Sequence, residues 1–319
     1  MARKLKFKDA AKARNSITKK QAIEIRKLYL DVAKDLQKEM ERLKYRDNVS
    51  SILQQQRITE LQNQLSRQID EIGKEIEEGI KTGILDVSES IIVDAKNFGK
   101  EIGFEMIAGY ANVPKQVLRK IVTGKIYSTG WSLSNRVWDM TKTTQKDIYR
   151  IVAAGVAENK GAYEIAKDLE GYVNPYKKKQ WNLKMKDGKR IYKRQVDYNA
   201  QRLARTLVQH AYQQSMVEVT RNNPWLQSYI WHSNGSRVCP ICKARDGQRY
   251  TEKSLPLDHP QGMCVIEPDF CSNDKITDDL AAWVNSDWGT YPEIDNYASE
   301  LTGIDLNILK RNEKDSIYG

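Results

Sequence analysis

Between residues 58 and 80 the chain places Ile58, Leu61, Leu65, Ile69, Ile72, Ile76 and Ile80 at steps of 3, 4, 4, 3, 4 and 4. A strand buries alternate residues, so it cannot bring these side chains to one side. A helix can, because its repeat is 3.6 residues. The spacing predicts an amphipathic helix over 50–82. Residues 17–44 repeat the pattern with Ile25, Leu28, Val32, Leu36, Met40 and Leu43. Two such stripes, separated by the polar break RDNVS at 46–50, predict an antiparallel helical pair. Each stripe is read as core or as contact with a partner helix, not as chemistry.

Helical signals continue downstream. A helix is expected over 86–110, and another over 112–124, which opens on Asn-Val-Pro and closes on Gly124. A longer helix follows from Gly130, with Ser132 or Ser134 as its cap. Residues 161–173 make a short helix. The pattern changes at Asn174–Pro175, where YKKKQWNLKMKDGKRIYKR has little helical period and reads as a basic loop, with Asp187–Gly188 a candidate hairpin turn. Helix returns over 196–223 and stops at Pro224, and SYIWHS at 228–233 alternates like a strand. The fold class expected is mainly α: a long N-terminal helical arm and a helical body, with a small zinc-stabilised α+β module near the C-terminus. In linear terms the segments are a helical-hairpin arm at 1–85, a helical body at 86–173, a basic loop at 174–195, a helix plus metal-knot module at 196–270 and an acidic tail at 271–319.

Charge is unevenly placed. The net charge of the 319 residues is +10. Residues 1–47 hold 15 Lys and Arg against 7 Asp and Glu, residues 173–205 hold 11 against 2, and residues 266–319 hold 4 against 12. A basic balance points to a polyanionic neighbour. The basic loop is the candidate nucleic-acid surface, with Lys177, Lys178, Lys179, Lys184, Lys186, Lys189, Arg190, Lys193 and Arg194 as phosphate contacts. Such contacts are nonspecific and salt-sensitive. Trp181 and Tyr192 could stack on bases or serve as packing anchors. No run approaches the roughly 18 apolar residues of a membrane span, and the basic N-terminus has no apolar core behind it, so neither anchor nor signal peptide is expected. A chain made and kept in a reducing cytosol uses cysteine as thiol or metal ligand rather than in disulfides.

Three of the four cysteines fall in VCPICKARDGQRYTEKSLPLDHPQGMC, residues 238–264, together with one of three histidines. Cys239 and Cys242 form a CxxC, in which two thiolates on a tight turn can meet one tetrahedral ion. His259 and Cys264 supply a second pair, and Asp246–Gly247 between the pairs is a hairpin signal. The expected ligands of a structural zinc ion are therefore Cys239, Cys242, His259 and Cys264, with Cys271 the competitor for the fourth place. Unliganded buried thiols are the plain alternative. Asp258–His259–Pro260 also looks like the start of an HNH metal-dependent nuclease. Such an enzyme needs a later histidine, and His259 is the last in the chain. Four protein ligands would close the metal, so no catalysis is expected. His210 and His232 are read as structural.

From Tyr198 onward the sequence resembles a known family. YNAQRLARTLVQHAYQQSMVEV, YIWHSNGSRVCPICKARDGQRY and LPLDHPQGMC are similar to the C-terminal module of phage head-morphogenesis proteins, the minor head proteins of the phage Mu F-like type. Arg205–Thr206, Cys239, Cys242, Asp246–Gly247, His259 and Cys264 fall on its motif positions. In HPQGMC a glycine replaces a cysteine present in some members. SLSNRVW and VAENKGAYEIAKDLEGYVNP also look like members from phages of Gram-positive hosts. The resemblance implies a minor capsid protein in few copies, made in the host cytoplasm and located in the virion near the portal vertex. Its implied partners are the portal protein, other head proteins (capsid or scaffold) and packaged double-stranded DNA, with no membrane during assembly and a part in packaging or ejection. The alternatives are a zinc-containing HNH-like nuclease and a cytosolic nucleic-acid-binding adaptor.

Overall fold

The computed structural model describes residues 7–44, 50–101, 110–177, 195–234, 238–287 and 289–303. They are mainly helical, with one small sheet toward the C-terminus. In chain order the elements are α1 (Lys8–Lys44), α2 (Ser51–Glu101), α3 (Val113–Val122), α4 (Leu133–Ala157), α5 (Ala162–Val173), α6 (Tyr198–Thr220), β1 (Leu226–His232), α7 (Pro240–Arg245), β2 (Arg249–Tyr250), β3 (Val265–Phe270), α8 (Asn273–Val284) and α9 (Pro292–Thr302).

The break expected between residues 82 and 86 does not occur, because α2 runs unbroken from Ser51 to Glu101. The stripe explains this: Ile84, Val87 and Ile91 continue the steps of 4, 3 and 4 after Ile80, and all are buried. A glycine inside the run, Gly83, costs about 1 kcal/mol of helix propensity, less than the burial of one such side chain returns. Residues 102–109 of the helix expected over 86–110 lie outside the described residues.

The chain forms two compact units that cut across the linear segments: Met1–Ile17, Thr82–Ile121 and Thr206–Gly319 in one, Thr18–Lys81 and Val122–Arg205 in the other. In the second unit the α1 and α2 stripes face each other in antiparallel order. Gln21 Nε2 donates to Gly79 O at 2.7 Å, while farther along α1 Asp35 accepts from Gln68. Ser132 caps α4, its hydroxyl accepting from Asn135 N at 3.1 Å. Helix α4 runs antiparallel to α2, with Ser134 bonded to Glu77 and Gln145 to Ser66 and Asp70. The two helices approach closely at Gly73, where a Cβ would stand 2.7 Å from Thr141 Cγ2.

Glu170 on α5 is almost fully buried and accepts from Gln37 Nε2 and Asn174 Nδ2, each at 2.9 Å, and from Lys177 Nζ. Burial works to raise its pKa, but these donors outweigh it and hold the carboxyl below the usual range. A lowered carboxylate pKa stabilises the fold above the unfolded value, about 4.3, and that contribution is lost as pH falls through the folded value. Glu170→Gln should therefore lower stability by about 1–3 kcal/mol at neutral pH. In thermal melts the gap from wild type should close as pH falls below about 4.

In the first unit, α6 and the sheet form the core, with the N-terminal turns of α1 and the C-terminal half of α2 against them. Asp94 Oδ2 accepts from Ala10 N at 2.8 Å and so satisfies a free N–H in the first turn of α1. Ser88 meets Ser215 at 2.8 Å, and Phe98 stacks on Phe270 with ring centroids 4.8 Å apart. The sheet order is β2-β1-β3, antiparallel throughout, with Tyr229 opposite Tyr250 and Pro268. Every residue of β3 is buried. Residues 271–303, expected as an acidic tail, instead hold α8 and α9. They pack through Ile276, Ile294, Tyr297 and Leu301, and Asp295 accepts from Trp283 Nε1 and Gly289 N. Asp274, Asp278, Glu293 and Glu300 occupy the outer faces of two amphipathic helices, which a charge count does not distinguish from a tail. No described helix is long and apolar enough to cross a membrane.

Candidate metal centre

The chain leaves β1 at His232 and re-enters the sheet at Arg249, and α7 lies between. Pro240 at its first position presets the helical φ, and Cys239 is its N-cap, the thiol accepting from Cys242 N at 3.4 Å. That bond pulls the Cys239 pKa below the ordinary thiol value, while burial pushes the Cys242 thiol up. Asp246–Gly247 does not make the expected two-residue hairpin. It stops α7, with Gly247 at φ +74°, where only glycine is unstrained. Gly247 N and Trp231 N then bond to Trp231 O and Gln248 O and return the chain to the sheet.

The second pair sits in the loop before β3. His259, Pro260, Gln261 and Gly262 form a tight turn closed by Gly262 N to His259 O at 2.8 Å, with Gln261 at φ +64°. Proline second and a positive φ third is the type II arrangement. His259 Nδ1 lies 3.0 Å from Pro260 O. A carbonyl can only accept, so Nδ1 carries the hydrogen and Nε2 is left with its lone pair. That lone pair faces Cys239 Sγ at 3.3 Å. Burial works to lower the imidazole pKa, but Pro260 O and the charges of Asp258 and Cys239 outweigh it and raise it.

The donor atoms of Cys239, Cys242 and His259 lie within 4.8 Å of one another, and so do those of Cys242, Asp258 and Cys264. Cys242 belongs to both sets, so these five residues can form a metal site. Three sulfurs, one free imidazole nitrogen and a fixed tautomer fit a soft or borderline cation. Asp258 is already in use. Its Oδ1 accepts from His259 N at 2.9 Å, and its Oδ2 accepts from Cys264 N at 3.0 Å and Gln209 Nε2 at 3.1 Å. It fixes the backbone of both His259 and Cys264. Cys271 is no competitor, because the whole of β3 separates it from Cys264, and its N–H bonds Trp225 O at the far end of the strand.

Helix α6 holds the loop through Thr206, Gln209, His210 and Gln213, spaced i, i+3, i+4 and i+7 and so on one face. Thr206 Oγ1 accepts from Gln261 N and Gln213 Oε1 from Asp258 N, while His210 Nε2 donates to Asp258 O at 2.9 Å. Gln209 also donates to Cys264 O at 2.7 Å. Arg14 completes the frame. Fully buried over the Tyr212 ring, it donates to Gln209 Oε1 at 2.7 Å, Cys264 O at 3.0 Å and Met263 O at 3.2 Å. Its burial lowers the guanidinium pKa from its usual value. Sequence reasoning missed Arg14, Gln209 and Gln213. Two glutamines and a histidine on one helix face were the available signal, whereas Arg14 stands in a basic run that reads as solvated.

The third histidine, His232, bonds Glu267 at 3.0 Å across the sheet. Of the nine basic residues assigned to nucleic acid, only Lys177 is described, and its ammonium is engaged by Glu170. Lys178, Lys179, Lys184, Lys186, Lys189, Arg190, Lys193 and Arg194 lie outside the described residues. Comparison with protein-family models, curated proteins and solved structures gives no match.

Proposed function

We propose that the chain is a minor structural protein of a phage head, of the Mu F-like type. In this reading Cys239, Cys242, His259 and Cys264 hold a structural zinc ion, and the chain docks at the portal vertex and faces packaged DNA through the basic segment 177–194. One observation carries the reading: four of the residues on which the family resemblance rests converge in space, Cys239, Cys242 and His259 in one set and Cys264 joined through Cys242. Thiolates with one imidazole favour zinc among the common divalent ions, and four protein ligands leave no open position. Asp258, which an HNH-like reading would assign to chemistry, spends both oxygens on backbone and amide donors. That favours a structural role.

Nuclease-treated particles analysed by quantitative mass spectrometry, with portal protein as the standard, should contain a few copies of the chain. The purified chain should release close to one zinc per molecule on denaturation. Absence from particles would overturn the virion reading, and a folded chain free of metal would overturn the zinc.

A further inference from the structure

Two buried carboxylates hold the chain on either side of the basic segment 178–194. On the outgoing side Glu170 engages the Lys177 ammonium, and Asn174 Oδ1 accepts from Tyr176 N at 3.0 Å. On the returning side Asp197 is fully buried just before α6. Its Oδ2 accepts from Gln201 Nε2 at 2.6 Å and from Arg26 Nε at 2.9 Å. Arg26, on α1, also reaches the chain on both sides of the segment. Its Nη2 donates to Gln195 Oε1 at 3.4 Å, and its guanidinium carbon lies 5.7 Å from the centroid of the Tyr176 ring. Tyr176 is 66% exposed, so the attraction of a cation for its ring acts there with little help from burial.

One side chain thus bridges residues 176 and 195, and the chain leaves and re-enters the second unit at one place. A connection whose ends already meet has no distance to span, and connections in compact domains commonly need only about 4–6 residues. Residues 178–194 hold eight Lys and Arg against one Asp. We infer that they are a cationic arm that the fold does not need, closed at its root by Arg26 and set out to meet a polyanion. The polyanion half of this rests on the DNA-facing reading above, and the dispensable arm does not. The opposite assignment makes Trp181 and Tyr192 packing anchors, and then removal of the segment would cost the fold. It is disfavoured because the root carries its own fastenings. Gln37 and Asn174 on Glu170, and Gln201 and Arg26 on Asp197, all lie outside the segment. Shortening a closed loop also lowers the entropy cost of closing it.

The test replaces residues 178–194 in the full chain by a glycine–serine linker of about eight residues, which spans about 26 Å when extended, well beyond what one arginine bridges. The shortened chain should melt within about 2 °C of wild type, whereas a fall of more than about 5 °C overturns the proposal. A second variant keeps every residue and carries a specific protease site inserted after Gly188. Once cut, its two fragments should co-elute and melt as the intact chain does. Fragments that separate, or a site that the protease cannot reach in the folded chain, overturn the proposal as well. Fluorescence anisotropy with a labelled duplex of random sequence at low salt reads the other half. The shortened chain should bind about tenfold or more weakly than wild type, and undiminished binding would refute the arm as the polyanion contact. If wild type binds no duplex while the shortened chain melts normally, the DNA-facing reading falls and the dispensable arm stands.

Discussion

Cys242→Ser should abolish stoichiometric zinc and unfold the segment 239–264 between β1 and β3, while Cys271→Ser should change neither. Cys242 is the one residue common to both donor sets, it is buried, and it contacts thiols on either side. A metal bound to the folded state alone stabilises by mass action, about 4 kcal/mol when free metal exceeds the dissociation constant a thousandfold. The segment it would close has a two-residue strand and a six-residue helix, too little to hold by packing alone. Metal analysis and thermal melts of both variants check this. If Cys242→Ser does not accumulate, chelation of the wild-type protein gives the same readout, a fall in melting temperature reversed by added zinc. Cys271→Ser losing its metal would refute the ligand set.

Gly262→Ala should cost about 2–4 kcal/mol, more than most single substitutions. A Cβ at this position would stand 2.1 Å from Asp258 Cγ and 2.2 Å from both carboxylate oxygens. The carboxylate cannot retreat without releasing His259 N, Cys264 N and Gln209, all inside the protein. The clash therefore becomes either overpacking or unsatisfied buried donors. Melts of Gly262→Ala beside Gly247→Ala separate the two kinds of glycine. Gly247 has positive φ but open space around it, so its substitution should cost only about 1 kcal/mol. Equal losses would mean that the Asp258 contact carries no weight.

Gly262 also shows why the candidate centre was only partly legible in the sequence. By motif, the glycine of HPQGMC reads as a lost ligand. In the fold it is the space that a carboxylate fills. The ligands were visible because thiols and imidazoles are rare and closely spaced here, and their chemistry is local. The frame around them was not, since nothing in the spelling of Arg14, Gln209 or Gln213 says that a loop some fifty to 250 residues away will need donors and acceptors. The helices were legible for the opposite reason. Burial repeated every 3.6 residues is written along the chain, and the stripes read over 17–44 and 50–82 lie within α1 and α2. What failed was punctuation. The helices expected over 50–82 and 86–110 are one through residue 101, because the stripe beneath them does not lapse.

The bonds from Arg14 to the carbonyls of residues 263 and 264 span 249 and 250 residues of sequence. On the ribosome, at about 5–20 residues per second, the guanidinium emerges about 12–50 seconds before its acceptors have been made. Throughout that interval the first turns of the chain lack the groups that bury them in the finished protein. The start of α1 is thus made long before the groups that finish its burial, and the loop that can carry the metal is completed only when it meets Arg14 across some 250 residues of sequence.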